Sequence, residues 1–383
     1  MGVYEDSLKL HEKLQGKIEV VCRMPIKTRE DLSLLYTPGV AEACRQIEKN
    51  EELSFTLTRR GHLVAVITDG TAVLGLGDIG PAAGMPVMEG KCALFKAFGD
   101  VDAIPLCIDS KSTDEIVDII TRLAKNFGGI NLEDIAAPRC FEIERRLRKA
   151  LDIPVFHDDQ HGTAIVVAAA LLNACKVTKK SMDHMTVVIN GVGAAGCAIA
   201  DLLLKMGIYN LILCDRNGIL DAQDQALNPV QKELAMRTNH GGCKGHLSEA
   251  LVDADAFIGV SKGHLLSAEM VSLMKDGIVF ALANPEPEID PDEALKGGAK
   301  VVGTGRSDYP NQINNVLVFP GIFKGVLQAR AAKITDAMEI AAAYAIASMI
   351  PDTELSSVNI LPSPLDKHVA DVVAQAVYAQ AKK

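Results

Sequence analysis

The chain has 383 residues, more than the roughly 250–300 at which a single hydrophobic core stops growing, so two domains are expected. It is 48% apolar and 23% charged, which excludes intrinsic disorder and a collagen-like repeat. Acids outnumber bases 49 to 39, which argues against a general role on nucleic acid or an anionic membrane, since both need a positive face.

In chain order, the first residues carry Glu5 and Asp6 with no apolar stretch, so no signal peptide is expected. Asp6 also stands where a myristoylation signal needs Ser or Thr. Short aliphatic runs then predict strands at 63–68, 103–108, 153–156, 186–190, 211–214, 256–260, 278–282 and 301–303, with a further strand ending at GGINL. Helical patterns fall between them at 91–98, 114–126, 139–150, 163–176, 195–206 and 267–275, and two more at 333–348 and 367–381 have no strand after them. The alternation predicts an α/β chain with mainly parallel sheets. A polar stretch at 176–184 precedes a fresh βαβ unit, so we divide the chain into an N-terminal α/β domain, 1–160, and a C-terminal doubly wound, Rossmann-type domain, 161–383. Aromatics make up 4% with no Trp, which suits helices on aliphatic strands better than a β-sandwich. The longest clean apolar run, 164–172, falls well short of the ~18–20 residues a bilayer requires. Nine cysteines without a C-x-x-C pair, several in apolar patterns (Cys107, Cys175, Cys197, Cys214), predict thiols in a reducing, cytosolic compartment.

G-x-G-x-x-G occurs at Gly191, Gly193 and Gly196 between a predicted strand and an Ala/Leu-rich helix. A second strand ends in Asp215, nineteen residues past Gly196. One glycine allows the tight turn, the next lets the backbone approach a pyrophosphate, and the third lets helix and strand pack closely. The backbone of Gly191, Val192, Gly193, Ala194, Ala195 and Gly196 is therefore the expected phosphate cradle, at a helix N-terminus. Asp215 is placed for the adenine ribose, favouring NAD, while the adjacent Arg216 leaves NADP open. A second match at Gly75, Gly77 and Gly80 continues PAAGMPVMEG. Its prolines and glycines predict a loop with no helix opening there.

Acids recur where predicted strands end: Asp69, Asp109, Glu133 with Asp134, and Asp158 with Asp159. Ligands of open parallel sheets bind at those ends. Crowded carboxylates repel unless a cation neutralises them, and oxygen ligation suits Mg²⁺ or Mn²⁺. The bland alternative for any one Asp is a helix cap or turn. His157 and His161 lack a further partner for zinc, so a hydrogen-bonding role is expected for both.

LLYTPGVAEAC, TDGTAVLGLGDIG, PVMEGKCALF, LEDIAAP, FHDDQHGTA, NGVGAAG, ALANPEPE and NNVLVFPG occur in this order between positions 34 and 321. Together they resemble the short prokaryotic type of malic enzyme. The resemblance implies oxidative decarboxylation of malate to pyruvate and CO₂, with reduction of NAD or NADP and a divalent cation. By motif, Glu133, Asp134 and Asp159 match the metal ligands, with Asp158 in support beside them. Lys91 matches the general base and Tyr36 the general acid, while Asn284 and Asn315 match residues that contact substrate or nicotinamide. A lysine near pKa ~10.4 needs help to act as a base; a cation and a helix starting at 91 would both favour its neutral form. Larger members carry an arginine for a substrate carboxylate where this chain has Ala72. Thr71 and the backbone N–H groups of 75–80 are the candidates to replace it. The resemblance also implies a homodimer, with Tyr36 serving across the subunit boundary as an arrangement to test. An amino-acid dehydrogenase would leave the paired acids unexplained. A non-catalytic NAD sensor would tolerate changes at Lys91, Tyr36 and the acids, and all are retained.

Overall fold

The computed structural model describes residues 2–73 and 75–383. Three helices open the chain, α1 (Val3–Leu14), α2 (Arg29–Leu35) and α3 (Val40–Lys49), and none of them buries a residue. The short α4 (Ser54–Leu57) leads into β1 (Leu63–Thr68). Helices and strands then alternate: α5 (Gly80–Gly99), β2 (Asp102–Cys107), α6 (Thr113–Leu123), β3 (Gly129–Leu132), α7 (Arg139–Ala150) and β4 (Val155–His157). These four strands form one parallel sheet in the order β2-β1-β3-β4. The predicted strand at 153–156 starts later than expected because Pro154 has no N–H to give the ladder.

A tight π-type turn, Asp158–Gly162, runs directly into α8 (Thr163–Thr178). The second unit contains β5 (Thr186–Asn190), α9 (Ala194–Lys205), β6 (Asn210–Asp215), β7 (Gly218–Ile219), α10 (Pro229–Arg237) and α11 (Leu247–Leu251). It continues with β8 (Ala256–Gly259), α12 (Ala268–Val271), β9 (Ile278–Ala281), α13 (Pro291–Lys296) and β10 (Val301–Thr304). The sheet order is β10-β9-β8-β5-β6-β7, parallel except for β7. The helix predicted at 267–275 is cut to α12 because the Lys275 N–H turns away to the Ala254 carbonyl on the way into β9. Three helices close the chain: α14 (Phe319–Ala329), α15 (Asp336–Ala347) and α16 (His368–Ala381). Both α14 and α16 reach α5, and α15 packs on α8, so the C-terminal helices join the two units.

The loop expected after Gly80 is instead the start of α5. Its prolines do less harm than their number implies. One sits in the first turn, where no intrahelical N–H is needed, and Pro86 sacrifices one bond. Burial of Met88, Cys92 and Phe95 holds the helix, and Phe95 meets Phe319 and Phe323 at 4.7 and 5.3 Å between ring centres.

One core lies between the two sheets, filled by α5, α8 and α14, and each sheet has a second core on its far face. Asp158–Thr178 is long and apolar enough to cross a bilayer by composition, but 72% of its apolar window is buried inside the molecule. Its apolar character serves the core. On α8, buried Asn173 donates to the carbonyls of Ala347 and Ile360, both at 2.9 Å, pinning the end of α15. Replacing it by Ala leaves both carbonyls without that donor, and Asn173→Ala is expected to lose about 2–3 kcal/mol of stability in urea titration.

Candidate active site

The first sheet reverses its strand order between β1 and β3, and the acids gather at the carboxyl ends there. Glu133 and Asp134 follow β3, and Asp158 and Asp159 follow β4. Lys91 comes in from α5 and is buried among them. Its Nζ lies 2.5 Å from Asp158 Oδ2 and 2.9 Å from Glu133 Oε1, and 4.2 Å above the Phe319 ring. Asn315 also donates to Asp158 Oδ2, at 2.5 Å, while Asn131 donates to Glu133 Oε2 at 2.8 Å. The Asp134 N–H donates to Asp159 Oδ2 at 2.8 Å, linking the two acid pairs. Gly162 makes room for this arrangement, because a Cβ there would lie 1.9 Å from Asp158 Oδ1.

Desolvation raises three acids of the cluster. Asp158 and Glu133 are pushed up to about 7 and Asp159 to about 6, with neighbouring carboxylates adding to the effect and Lys91 opposing it. Lys91 is held well above the ordinary lysine range; burial works against its charge, but Asp158 and Glu133 outweigh it. The expectation that a helix N-terminus favours neutral Lys91 is overturned. Lys91 sits deep inside α5, and the helix dipole acts only within the first turn.

The structure does not bring Tyr36 to this cluster. It stands at the end of α2, 68% exposed. His161 takes a part that sequence reasoning left as a generic hydrogen bond. Its ring lies between Glu144 Oε1 at 2.9 Å and Glu339 Oε1 at 3.1 Å. Burial disfavours its charge, but the two carboxylates win and raise its pKa to about 10. An imidazolium thus bolts α7 to α15 beside the acid turn; Glu339, 178 residues away in the sequence, gave no local signal. His157 is pushed down to about 4 by burial and is neutral.

Most of the groups that could meet a substrate carboxylate at the Ala72 loop are already engaged within the chain. The Thr71 hydroxyl donates to Asp69 Oδ1 and accepts from the Ala136 N–H and from Arg139. The N–H groups of Leu76, Gly77, Ile79 and Gly80 already bond to Val73 or Gly70. Arg139 itself is held by Asp69 and the Lys111 carbonyl.

On the second sheet the three glycines have separate physical reasons. Gly191 has φ +106°, and a Cβ there would lie 2.7 Å from the Val260 carbonyl oxygen. A Cβ on Gly196 would lie 1.8 Å from the Gly191 carbonyl oxygen. Gly193, just before α9, faces open space, which is where a pyrophosphate needs close approach. A cavity of about 670 Å³ adjoins this turn, lined by Gly191, Val192, Asp215, Arg216, Ser261 and Lys262 among others. Ala194 and Ala195 open α9. Asp215 uses Oδ1 to accept the Asn217 N–H at 2.7 Å. Asn284 follows β9, and Gly75 of the first unit comes so close that a Cβ there would lie 2.6 Å from the Asn284 carbonyl oxygen. The two units therefore meet across one crevice.

Residues 15–148 match the malic enzyme N-terminal domain, and residues 160–382 match the malic enzyme NAD-binding domain. The chain belongs to the malic enzyme family. It is 52% identical over 379 residues to the bifunctional malic/malolactic enzyme of Bacillus subtilis, covering 98% of this chain and 92% of that protein. It is 54% identical over 363 residues to the NAD-dependent malic enzyme of Geobacillus stearothermophilus, covering 94% of this chain and 76% of that one. The crystal structure of the NAD-dependent malic enzyme from Thermotoga maritima superposes with a TM-score of 0.94 at 48% identity, over 97% of this chain and 99% of that one.

The divalent cation typical of malic enzymes fits the residues present. Glu133, Asp134 and Asp159 each offer an oxygen, and the three lie within 4.8 Å of one another. Four acids here face one lysine, so a hard dication relieves repulsion that Lys91 alone cannot. Asp159→Asn is expected to abolish tight Mn²⁺ binding, read by electron paramagnetic resonance of the free ion, without unfolding the chain. Binding at wild-type strength would remove Asp159 from the ligand set.

Proposed function

We propose that this malic enzyme oxidatively decarboxylates L-malate to pyruvate and CO₂, with Mg²⁺ or Mn²⁺ and with NAD in preference to NADP. The observation that carries the reading is Lys91, buried between Asp158 and Glu133 at the edge of a three-carboxylate cluster. Glu133, Asp134 and Asp159 would hold the cation, whose charge would offset that of Glu133 and Asp159 beside Lys91 and whose Lewis acidity would polarise the C2 oxygen of malate. Bound NAD, cradled from Gly191 to Gly196, supplies the hydride acceptor.

Lys91, in its neutral form, takes the C2 hydroxyl proton at Nζ, while Asp158, itself held by Asn315 Nδ2, keeps the amine in place. Asn284 and Asn315 contact substrate or nicotinamide. Tyr36 protonates C3 of the enolpyruvate left by loss of CO₂. NAD is favoured because Asp215, which lines the same cavity as the glycine turn, would repel a 2′-phosphate. Nine unpaired cysteines support a reducing, cytoplasmic setting.

Tyr36 stands in water in the single chain, which supports its use by a second copy. Helices α1–α3 bury nothing and expose Val3, Tyr4, Leu8, Leu32 and Leu34, an apolar surface that one chain leaves in water. We therefore take the assembly to be a homodimer in which this arm lies on the partner and delivers Tyr36 to its crevice.

Absorbance at 340 nm tests the reaction. L-malate with NAD and Mn²⁺ is expected to give NADH and matching pyruvate, with a smaller kcat/KM for NADP and no signal without metal. Lys91→Ala is expected to cut turnover by orders of magnitude while NAD binding survives; near wild-type turnover would remove Lys91 as the base. Mixing inactive Tyr36→Phe and Asp159→Asn chains tests the dimer. A statistical mixture of a two-fold dimer should recover about a quarter of wild-type activity if Tyr36 acts in the partner, and nothing if it acts within its own chain.

A further inference from the structure

Glu288 is fully buried, yet among the described residues its carboxylate meets no cation; burial pushes its pKa up and backbone N–H groups oppose that. Oε1 accepts the Ser261 N–H at 3.0 Å, and Oε2 accepts the Ala283 N–H at 3.0 Å. Ser261 lies just past β8, and Ala283 just past β9 and next to Asn284. The Ser261 hydroxyl accepts in turn from Asn190 Nδ2, at the end of β5, at 2.9 Å. Gly259 at the end of β8 leaves the space, since a Cβ there would lie 2.4 Å from the Glu288 carboxyl carbon.

We propose that Glu288 is a positioning residue that sets the spacing of the β5, β8 and β9 loop ends, and through them the nicotinamide side of the crevice and Asn284. A buried carboxylate without a cation is a costly way to gain stability. It does have one property no neutral side chain shares: two acceptor oxygens in a rigid fork, matching two N–H donors on neighbouring strands. Gln offers one acceptor and turns a donor toward the second N–H. The adenosine end of the cavity, at Asp215, stands on β6, one strand past β5, and none of the three hydrogen bonds of this tie is made to it. The proposal rests on the placement of Asn284 given above.

Glu288→Gln tests it in the full-length enzyme. The dissociation constant for NADH, read by its fluorescence, is expected to rise roughly tenfold or more, with a fall in kcat. AMP, which occupies only the adenosine end, is expected to bind as in the wild type. A folded variant with unchanged NADH binding and kcat overturns the proposal. Equal losses for AMP and NADH overturn it too, because they would mark general damage to the domain. If Glu288→Gln does not fold, Ser261→Ala cuts only the link to Asn190; it is expected to give a smaller loss for NADH alone, and wild-type NADH binding there counts against the tie. Asn284→Ala separates the two readings. If it keeps the wild-type KM for malate while Glu288→Gln shows the split, the Asn284 assignment fails and the Glu288 tie stands.

Discussion

One buried lysine faces four carboxylates at the ends of two parallel strands, and much of the molecule serves to keep them there. Carboxylates at that depth would shed their charge or move apart unless something opposed them. Lys91 opposes them from α5, Asn131 donates to the other oxygen of Glu133, and Asn315 shares Asp158 Oδ2 with the lysine. Even the absence of a side chain at Gly162 belongs to this arrangement, since any Cβ would strike Asp158. The cluster is a charge imbalance held by packing, which is the condition in which a divalent ion binds hard oxygen ligands best.

The second unit solves a different problem with different means. Its turn at 191–196 is shaped by steric exclusion, with two glycines crowded by backbone and the third left open. Its loop ends are then drawn together by a carboxylate that has no counter-charge. The first unit concentrates charge to hold an ion and activate a base. The second spends a buried charge on geometry. Both place their chemistry at the carboxyl ends of parallel strands, and Gly75 against Asn284 brings those ends face to face.

Much of this was legible in the sequence because it is local. Strands β1 and β5 fall where the aliphatic runs put them, and helix α7 where its apolar spacing puts it. The dinucleotide turn and the acid pairs announce themselves within a few residues. What was misread depended on contacts distant in the chain. Two prolines and several glycines made α5 look like a loop, because the sequence does not display the aromatic ring of Phe319 that meets Phe95. Glu288 and Glu339 give no local signal, since their partners lie on other elements. Tyr36 carries a motif yet stands in water in the single chain.

The joint between the two units has a mechanical consequence. Residues 158–162 hold two of the acids and pass without a break into α8, a helix buried on nearly every side. His161 within that turn is clamped to glutamates on both neighbours. A flexible linker would let the crevice open at its root, but this joint cannot flex without dragging Asp158 off Lys91. The contacts that seat the acids are thus also the contacts that fasten one unit to the other.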